Sequence, residues 1–454
     1  MAKADKSKLK ELTAQDALIL ASERPRALRN YLGKMHATEI CGLLLGCRDD
    51  DERVVLLERI PQAQRGDVLL ELPEGMQEDL LSRLAPSEIE DVVEHLDSDD
   101  AADILQAVNK DVADEVIERL EPEERRGIEA LLGHDEESAG GLMQAELFKV
   151  RADWTVEKVL IVLRRFGREI ENLNYVYIVD DLDRLVGVIP LHKLLFCEPD
   201  QLMTDFELLD CPKVHAEEDQ EIVAQLFEKY DVLAMPVVDD YGVLVGRITA
   251  DDILDVMQEE ATEDMYRLAG LSGDDDISEP VGITAYRRGI WLTVNLGTAI
   301  LASLVVAQFQ GTIAQIVALA VLMPIVASMG GIAGTQTLTV IVRGIALGRV
   351  TFENAQRSLI KEVSVSLMTG MAFALVMGVI ASFWFPAFGY KLGLVIAVAM
   401  FINLIMAGLS GAMIPLTLQR LKIDPALASG TILTTVTDVV GFFAFLGLAT
   451  IFLL

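Results

Sequence analysis

Five long apolar spans dominate the last part of this sequence and limit how it can fold. They lie at roughly 288–309, 313–342, 359–385, 392–418 and 426–454. Each is long enough to cross the hydrocarbon core of a bilayer as a helix. Pro324 and Pro415 fall inside the second and fourth spans, so kinks or half-helices are expected there. The sequence therefore predicts a five-helix transmembrane domain over residues 285–454.

The loops between these spans differ in positive charge. Basic residues precede span one and lie between spans two and three and between spans four and five; the other two loops hold only Lys391. Because positively charged loops stay on the cytoplasmic side, the N-terminus is predicted to be cytosolic and the C-terminus to lie outside.

One ionisable residue, Asp438, lies in the last span. At about 1.5 Å per residue it falls roughly 18 Å from the start of that span, near the middle of the membrane. An acid at that depth costs about 2.5–3.5 kcal/mol, so such residues usually serve a function in a wet interior. Thr434 and Thr435 share its helical face. A cation site in a pore is favoured; the alternative is a structural hydrogen bond between helices.

Charge divides the chain in the same way as hydropathy. Residues 281–454 hold nine basic and four acidic residues, whereas the preceding part holds 29 basic and 66 acidic ones, a net charge of −37. Such a surface repels nucleic acid and attracts cations, although it could also be merely a soluble acidic surface. No Ser-His-Asp, HExxH or Walker sequence occurs, so an enzyme is not expected. Carboxylate oxygens suit Mg²⁺ or Ca²⁺.

The acidic part contains two kinds of pattern. Residues 1–138 show apolar spacings of three and four with short Pro- or Asp-containing turns, which predicts a superhelical stack of short helices. Residues 139–201 and 202–261 form an internal repeat with an offset of 59 to 60 residues, each copy reading strand, helix, strand, turn, strand, helix. An acidic connecting helix and loop follow at 262–284.

The repeat resembles a tandem pair of α/β CBS domains. The second copy keeps the module's pattern, in which Thr249 and Asp252 match residues that hold a phosphate and a ribose. The first copy has Pro190 and Lys193 at those positions. The resemblance implies that ATP is a possible ligand at Thr249 and Asp252.

Four further motifs make the chain resemble the MgtE family of magnesium channels. They are Glu-Glu-Ala-Thr-Glu-Asp-Met-Tyr-Arg-Leu at 259–268, Gly-Gly-Ile-Ala-Gly-Thr-Gln at 330–336, Asp-Pro-Ala at 424–426 and Thr-Thr-Val-Thr-Asp at 434–438. Ile332 departs from the family, which usually has Asn at that position.

The resemblance implies a homodimer in membrane lipid, in the plasma (bacterial inner) membrane, with a pore on the two-fold axis. Mg²⁺ is then both the transported and the regulatory ion. Asp438 matches the pore aspartate and Asp424 the acid at the inner mouth. The acids that match regulatory Mg²⁺ ligands are Asp99, Asp103, Asp219, Glu221, Asp231, Asp252, Asp255, Glu260, Glu263 and Asp264.

Three functions remain open from the residues. The first is a Mg²⁺ channel that closes when cytosolic Mg²⁺ bridges the carboxylates and offsets their repulsion. The second is a proton-coupled carrier of Mg²⁺, Co²⁺ or Mn²⁺, with Asp438 as a proton relay. The third is a membrane-anchored ligand sensor whose spans only hold it in place.

Overall fold

The computed structural model describes residues 12–167, 170, 172–205, 212–271, 281–351, 354–427 and 429–454. The chain divides into two compact units, Met1–Met257 and Gln258–Leu454.

The first part of unit one contains only helices among its described residues, as predicted. Thr13 begins the first helix with a capping box, and Pro25, Pro86 and Pro122 occupy first helical turns, where a missing N–H costs nothing. The short helices bury one apolar face each, including Leu28, which is fully buried. They are α1 (Ala14–Glu23), α2 (Pro25–Leu32), α3 (Ala37–Leu45), α4 (Asp50–Leu57), α5 (Arg65–Leu70), α6 (Glu74–Leu81), α7 (Pro86–Val93), α8 (Ser98–Gln106), α9 (Lys110–Arg119) and α10 (Pro122–Leu131).

The predicted repeat is confirmed as two equivalent three-stranded sheets, one in each copy. In each sheet the first strand runs parallel to the second, and the second runs antiparallel to the third. Both sheets have an irregularity at the same point of the middle strand. The elements are β1 (Lys149–Arg151), α11 (Val156–Phe166), β2 (Tyr175–Val179), β3 (Leu185–Pro190), α12 (Leu191–Leu194), β4 (Val214–His215), α13 (Gln220–Tyr230), β5 (Ala234–Val238), β6 (Leu244–Thr249) and α14 (Ala250–Leu268).

The segment after the helical domain joins it to the second sheet. The backbone N–H of Gln144 donates to the carbonyl of Arg247 at 2.7 Å, and the N–H of Arg247 donates back at 3.0 Å. The N–H of Ala145 donates to the hydroxyl of Ser98 at 2.8 Å. These bonds hold the start of α8 close to the end of β6.

Helix α14 continues the second repeat into the connecting segment without a break. It runs for 19 residues through the predicted boundary between 261 and 262. The predicted loop falls mostly on residues 272–280, which lie outside the described residues.

Five helices of unit two are long and apolar enough to cross a membrane. The predicted half-helices do not form, because α17 and α19 continue through Pro324 and Pro415, as membrane helices can when their neighbours support the backbone. The second span also begins later than predicted, after a separate short helix. The helices are α15 (Val281–Gln308), α16 (Gln310–Gln315), α17 (Ala318–Ala346), α18 (Ala355–Trp384), α19 (Gly389–Arg420) and α20 (Ser429–Leu453).

Helix α19 packs most closely with its neighbours. A Cβ atom at Gly393 would lie 2.4 Å from the carbonyl oxygen of Gly378 on α18, and one at Gly411 would lie 2.7 Å from that of Gly334 on α17. Small residues at these crossings allow the helix backbones to approach, which is how membrane helices commonly associate.

Candidate metal sites

Asp438 lies on α20, ten residues into a 25-residue helix, and its side chain is half-buried. None of the described residues donates a hydrogen bond to its carboxylate or forms an ion pair with it. Thr434 and Thr435 turn their hydroxyls to backbone carbonyls one turn earlier, at 3.0 and 2.7 Å. Within the described part of one chain, Asp438 therefore forms no hydrogen bond to another helix, and the structural alternative has no support.

A buried asparagine fixes the helices beside Asp438. Asn403 of α19 is fully buried, and its amide donates to the carbonyl of Val326 on α17 at 2.9 Å. A Cβ atom at Gly330 on α17 or at Gly441 on α20 would lie 2.2 or 2.7 Å from the same amide nitrogen. Three helices therefore meet at Asn403, one helical turn from Asp438 along α20.

Ile332, the departure from the family motif, is not part of this packing. Its side chain is 55% exposed in unit two, whereas Gly330 and Gly334 of the same motif pack against Asn403 and Leu433. The change at Ile332 therefore leaves the contacts between α17, α19 and α20 intact.

Glu362 is a second acid among the membrane helices, and it is buried. The hydroxyl of Thr337 on α17 donates to its Oε2 at 3.3 Å, and the ammonium of Lys361 lies 3.7 Å from its Oε1. A carboxylate with these partners connects α18 to α17. Glu362 therefore differs from Asp438 in having its charge compensated by its neighbours.

Asp424 lies just before α20 and bonds to a residue near the end of α14, the connecting helix. Its Oδ1 accepts from the backbone N–H of Ala426 at 2.7 Å, and its Oδ2 accepts from Arg267 Nη1. The other guanidinium nitrogen of Arg267 pairs with Glu263, one turn earlier on α14. The structure therefore brings together the predicted residues Glu263 and Asp424 through an arginine that was not predicted.

The charges around this group oppose one another. Burial raises the pKa of Asp264, and Asp424 raises it further, while Arg343 and Arg267 lower it. Burial alone lowers the pKa of Arg267, but Asp424, then Glu263 and Glu260, raise it above its ordinary value. The arginine is thus the local counter-charge of the predicted metal ligands.

A second group of carboxylates lies in unit one. Burial raises the pKa of Asp99 well above its ordinary range, and Asp100 and Asp252 raise it further. Burial, followed by Asp252 and Asp103, raises the pKa of Asp100 to about 7. Asp100 was not among the predicted sites, although it is the residue next to one. Its burial depends on the docking of α8 and could not be seen in the sequence.

Asp252 has polar partners as well as acidic neighbours. The hydroxyl of Thr249 donates to its Oδ2 at 2.5 Å, and the amide of Gln144 lies 3.5 Å from the same oxygen. Burial raises its pKa, whereas the bonds from Thr249 and the charge of Arg247 lower it. The two residues predicted to bind nucleotide therefore bond to each other.

The remaining predicted acids are spread along α8, α13 and α14. Asp219 begins α13 and accepts from the N–H of Glu221 at 2.9 Å, and Asp231 ends the same helix with a φ of 52°. Asp103 and Asp255 are exposed. Over the described ranges, no three His, Cys, Asp or Glu side chains are close enough to hold a metal ion. The regulatory metal sites therefore stay a prediction.

Comparison with known families covers most of the chain. The MgtE description "Divalent cation transporter" matches residues 323–448, and "MgtE intracellular N domain" matches residues 35–137. The CBS domain description matches twice, at 139–198 and 200–259. These ranges correspond to the last four membrane helices, most of the short helices of unit one and the two sheets.

Individual relatives extend this similarity. The chain is 36% identical over 338 residues to the magnesium transporter MgtE of Thermus thermophilus, covering 74% of each chain. It is 33% identical over 334 residues to that of Bacillus subtilis, also covering 74% of each. A crystal structure of the cytosolic domain of the Mg²⁺ channel MgtE in complex with ATP is 37% identical, has a TM-score of 0.50, and covers 54% of this chain and 98% of that one. The chain belongs to the MgtE family of divalent cation transporters.

Proposed function

We propose that this protein carries Mg²⁺ across a membrane through a pathway that passes Asp438. The observation that carries the proposal is a half-buried carboxylate in the middle of a membrane helix with no described partner. An uncompensated acid at that depth is costly and usually serves a function such as an ion pathway. The curated relatives named above are magnesium transporters, which favours Mg²⁺ as the ion.

Asp438 suits an ion that keeps its water. Mg²⁺ dehydrates reluctantly and is usually bound by one or two carboxylates through several of its own waters. In a homodimer with the pathway on the two-fold axis, two copies of Asp438 face the same hydrated ion. The threonines one turn earlier are already bonded to backbone, so the carboxylates supply the attraction.

We further propose that cytosolic Mg²⁺ closes the pathway by binding the acidic regions. Asp99, Asp100 and Asp252 repel one another in unit one, and Asp264 and Asp424 do so in unit two. A divalent ion removes this repulsion only where carboxylates converge. Sites that are completed only in the compact state bind Mg²⁺ more tightly there, and that difference in affinity shifts the equilibrium.

For the orientation in the plasma membrane, we propose that the acidic half lies in the cytosol and the C-terminus lies outside. The loops after α17 and α19 carry basic residues, among them Arg349 and Lys422, whereas the loop after α18 holds only Lys391.

The decisive test measures Mg²⁺ flux into liposomes with the purified full-length protein. Asp438→Asn keeps the shape of the side chain and removes its charge, so flux is expected to fall at least tenfold, roughly the effect of losing 1.4 kcal/mol. Glu362→Gln is the matched control, because that acid is buried and compensated by Thr337 and Lys361, and it should retain most of the flux.

Other outcomes separate the competing functions. Undiminished flux in Asp438→Asn contradicts the proposed pathway. Flux that stops when the proton gradient is collapsed identifies a proton-coupled carrier instead. The absence of flux of Mg²⁺, Co²⁺ or Mn²⁺ in the unmodified protein leaves the membrane-anchored sensor.

We also propose that ATP binds the pair of CBS domains at Thr249. A related cytosolic domain, 37% identical to this chain, has been crystallised in complex with ATP, which supports ATP as the ligand. Because the Thr249 hydroxyl is bonded to Asp252 at 2.5 Å, ligand binding must exchange that bond for one to the nucleotide. Thr249→Val is expected to weaken ATP binding about tenfold in calorimetric titrations, the cost of a lost bond to a charged partner. Unaltered affinity would place the nucleotide elsewhere.

A further inference from the structure

Arg267 lies between two carboxylates that the sequence predicts to bind Mg²⁺, Asp424 and Glu263. One nitrogen of its guanidinium bonds to Asp424 and another to Glu263. The three side chains are 30%, 28% and 19% exposed, so all are partly removed from water. Burial and then the negative charge of Asp424 raise the pKa of the neighbouring Asp264, and the positive charges of Arg343 and Arg267 lower it.

The guanidinium supplies the positive charge at the position where a metal ion would bind. It is planar, always charged and able to donate several hydrogen bonds to carboxylates at once. A Mg²⁺ ion that binds Asp424 and Glu263 needs the same oxygen lone pairs. It also cannot share the site easily, because two positive charges at that distance repel each other.

We propose that Arg267 is a built-in competitor of regulatory Mg²⁺ and sets the Mg²⁺ concentration at which the pathway closes. This inference rests on the proposed function. When Mg²⁺ is scarce, Arg267 neutralises Asp424 and Glu263 and holds the end of α14 in the arrangement seen here. When Mg²⁺ is abundant, the ion displaces the guanidinium and draws the carboxylates together. A stronger competitor requires more Mg²⁺ for closure.

A different role for Arg267 predicts the opposite result. If the two ion pairs were a latch that helps Mg²⁺ close the pathway, their loss would raise the Mg²⁺ requirement. If they were solvated surface pairs of little worth, their loss would change nothing, as for many exposed ion pairs. The sign of the change therefore decides between the three roles.

The test compares variants of the full-length protein in detergent. Protease protection of the acidic half and calorimetric Mg²⁺ titration each give a midpoint concentration that does not depend on transport. Arg267→Gln is expected to lower that midpoint about tenfold, because two partly buried ion pairs are lost. Arg267→Lys keeps one charge without the fork of donors and should lower it only about threefold.

Lys422 offers a matched control. It is exposed and lies two residues before Asp424, and its side chain has no described hydrogen bond or ion pair. Lys422→Gln therefore removes the same charge near the site without changing the contacts of Asp424. The Mg²⁺ midpoint of the Lys422→Gln variant should differ less than twofold from that of the unmodified protein. In an Asp424→Asn background, Arg267→Gln should lower the midpoint by clearly less than tenfold, because one of the two contested carboxylates is gone and only Glu263 remains.

The possible results test the competitor role of Arg267 separately from the proposed Mg²⁺ transport. An unchanged or raised midpoint in Arg267→Gln overturns the competitor role, even when the unmodified protein conducts Mg²⁺ and closes normally. An unmodified protein without Mg²⁺ flux overturns the proposed function instead, whatever the midpoints of Mg²⁺ binding are.

Discussion

The carboxylate groups of unit one and unit two differ in what compensates their negative charge. In unit one, Asp99, Asp100 and Asp252 lie close together, and burial raises the pKa of each. In unit two, Asp424 and Glu263 share the guanidinium of Arg267. In the first group burial favours the protonated form of each carboxyl, whereas in the second group a permanent positive charge lies beside the carboxylates.

This difference means that the two groups respond to different conditions. Arg267 stays charged at every physiological pH. The pKa of Asp100, at about 7, lies close to neutral pH, so its charge changes with modest changes of pH. The group in unit one is therefore expected to sense protons as well as Mg²⁺, whereas the group in unit two should depend mainly on Mg²⁺ and ionic strength.

The largest expected effect is a loss of stability around α8 as pH rises in the absence of divalent ions. A carboxyl with a raised pKa favours the folded state at low pH, and this contribution disappears as pH rises toward the folded pKa, here between about 4 and 7. Hydrogen exchange on the full-length protein should show the free energy of opening of α8 falling by about 2–4 kcal/mol between pH 5 and 8.

The start of α20 is the internal control for that experiment. Segments around Asp424 should change by less than about 1 kcal/mol over the same range, since Arg267 does not titrate. Millimolar Mg²⁺ at pH 8 should restore most of the protection of α8. Equal pH responses of the two segments would mean that the proposed difference between the groups does not exist.

A smaller effect is expected from a single substitution in the first group. Asp100→Asn keeps the shape of the side chain and removes its ionisation, so at pH 8 without Mg²⁺ it should stabilise the region of α8 by about 2 kcal/mol. The same change should weaken Mg²⁺-dependent compaction. Asp114→Asn, on the exposed side of α9, is the matched control and should move stability by less than about 0.5 kcal/mol. Similar shifts in both variants would point to overall charge rather than to the buried group.

Local patterns in the sequence predicted most of the fold. Five apolar spans, a repeat of 59 to 60 residues and the helix-type spacing of residues 1–138 depend only on neighbours along the chain. Of the kinks or half-helices expected at Pro324 and Pro415, the half-helices do not form, because α17 and α19 continue through both prolines.

The candidate sites were predicted less completely, for a physical reason. Asp438 stands out as an acid near the middle of an apolar span, so its sequence context was sufficient. Asp100 and Arg267 do not stand out, because each is one charged residue among many. Their importance comes from burial and the charge of Asp252 in the first case and from contact with Asp424 in the second, across separations of more than a hundred residues.

The unbroken course of α14 has a mechanical consequence. Nineteen residues at about 1.5 Å each make a rod of about 28 Å without an internal joint. A tilt of about 10° at Ala250 then displaces Leu268 by about 5 Å, close to the pitch of one helical turn. A small rotation of α14 at its start therefore displaces Arg267, near its end, by several ångströms.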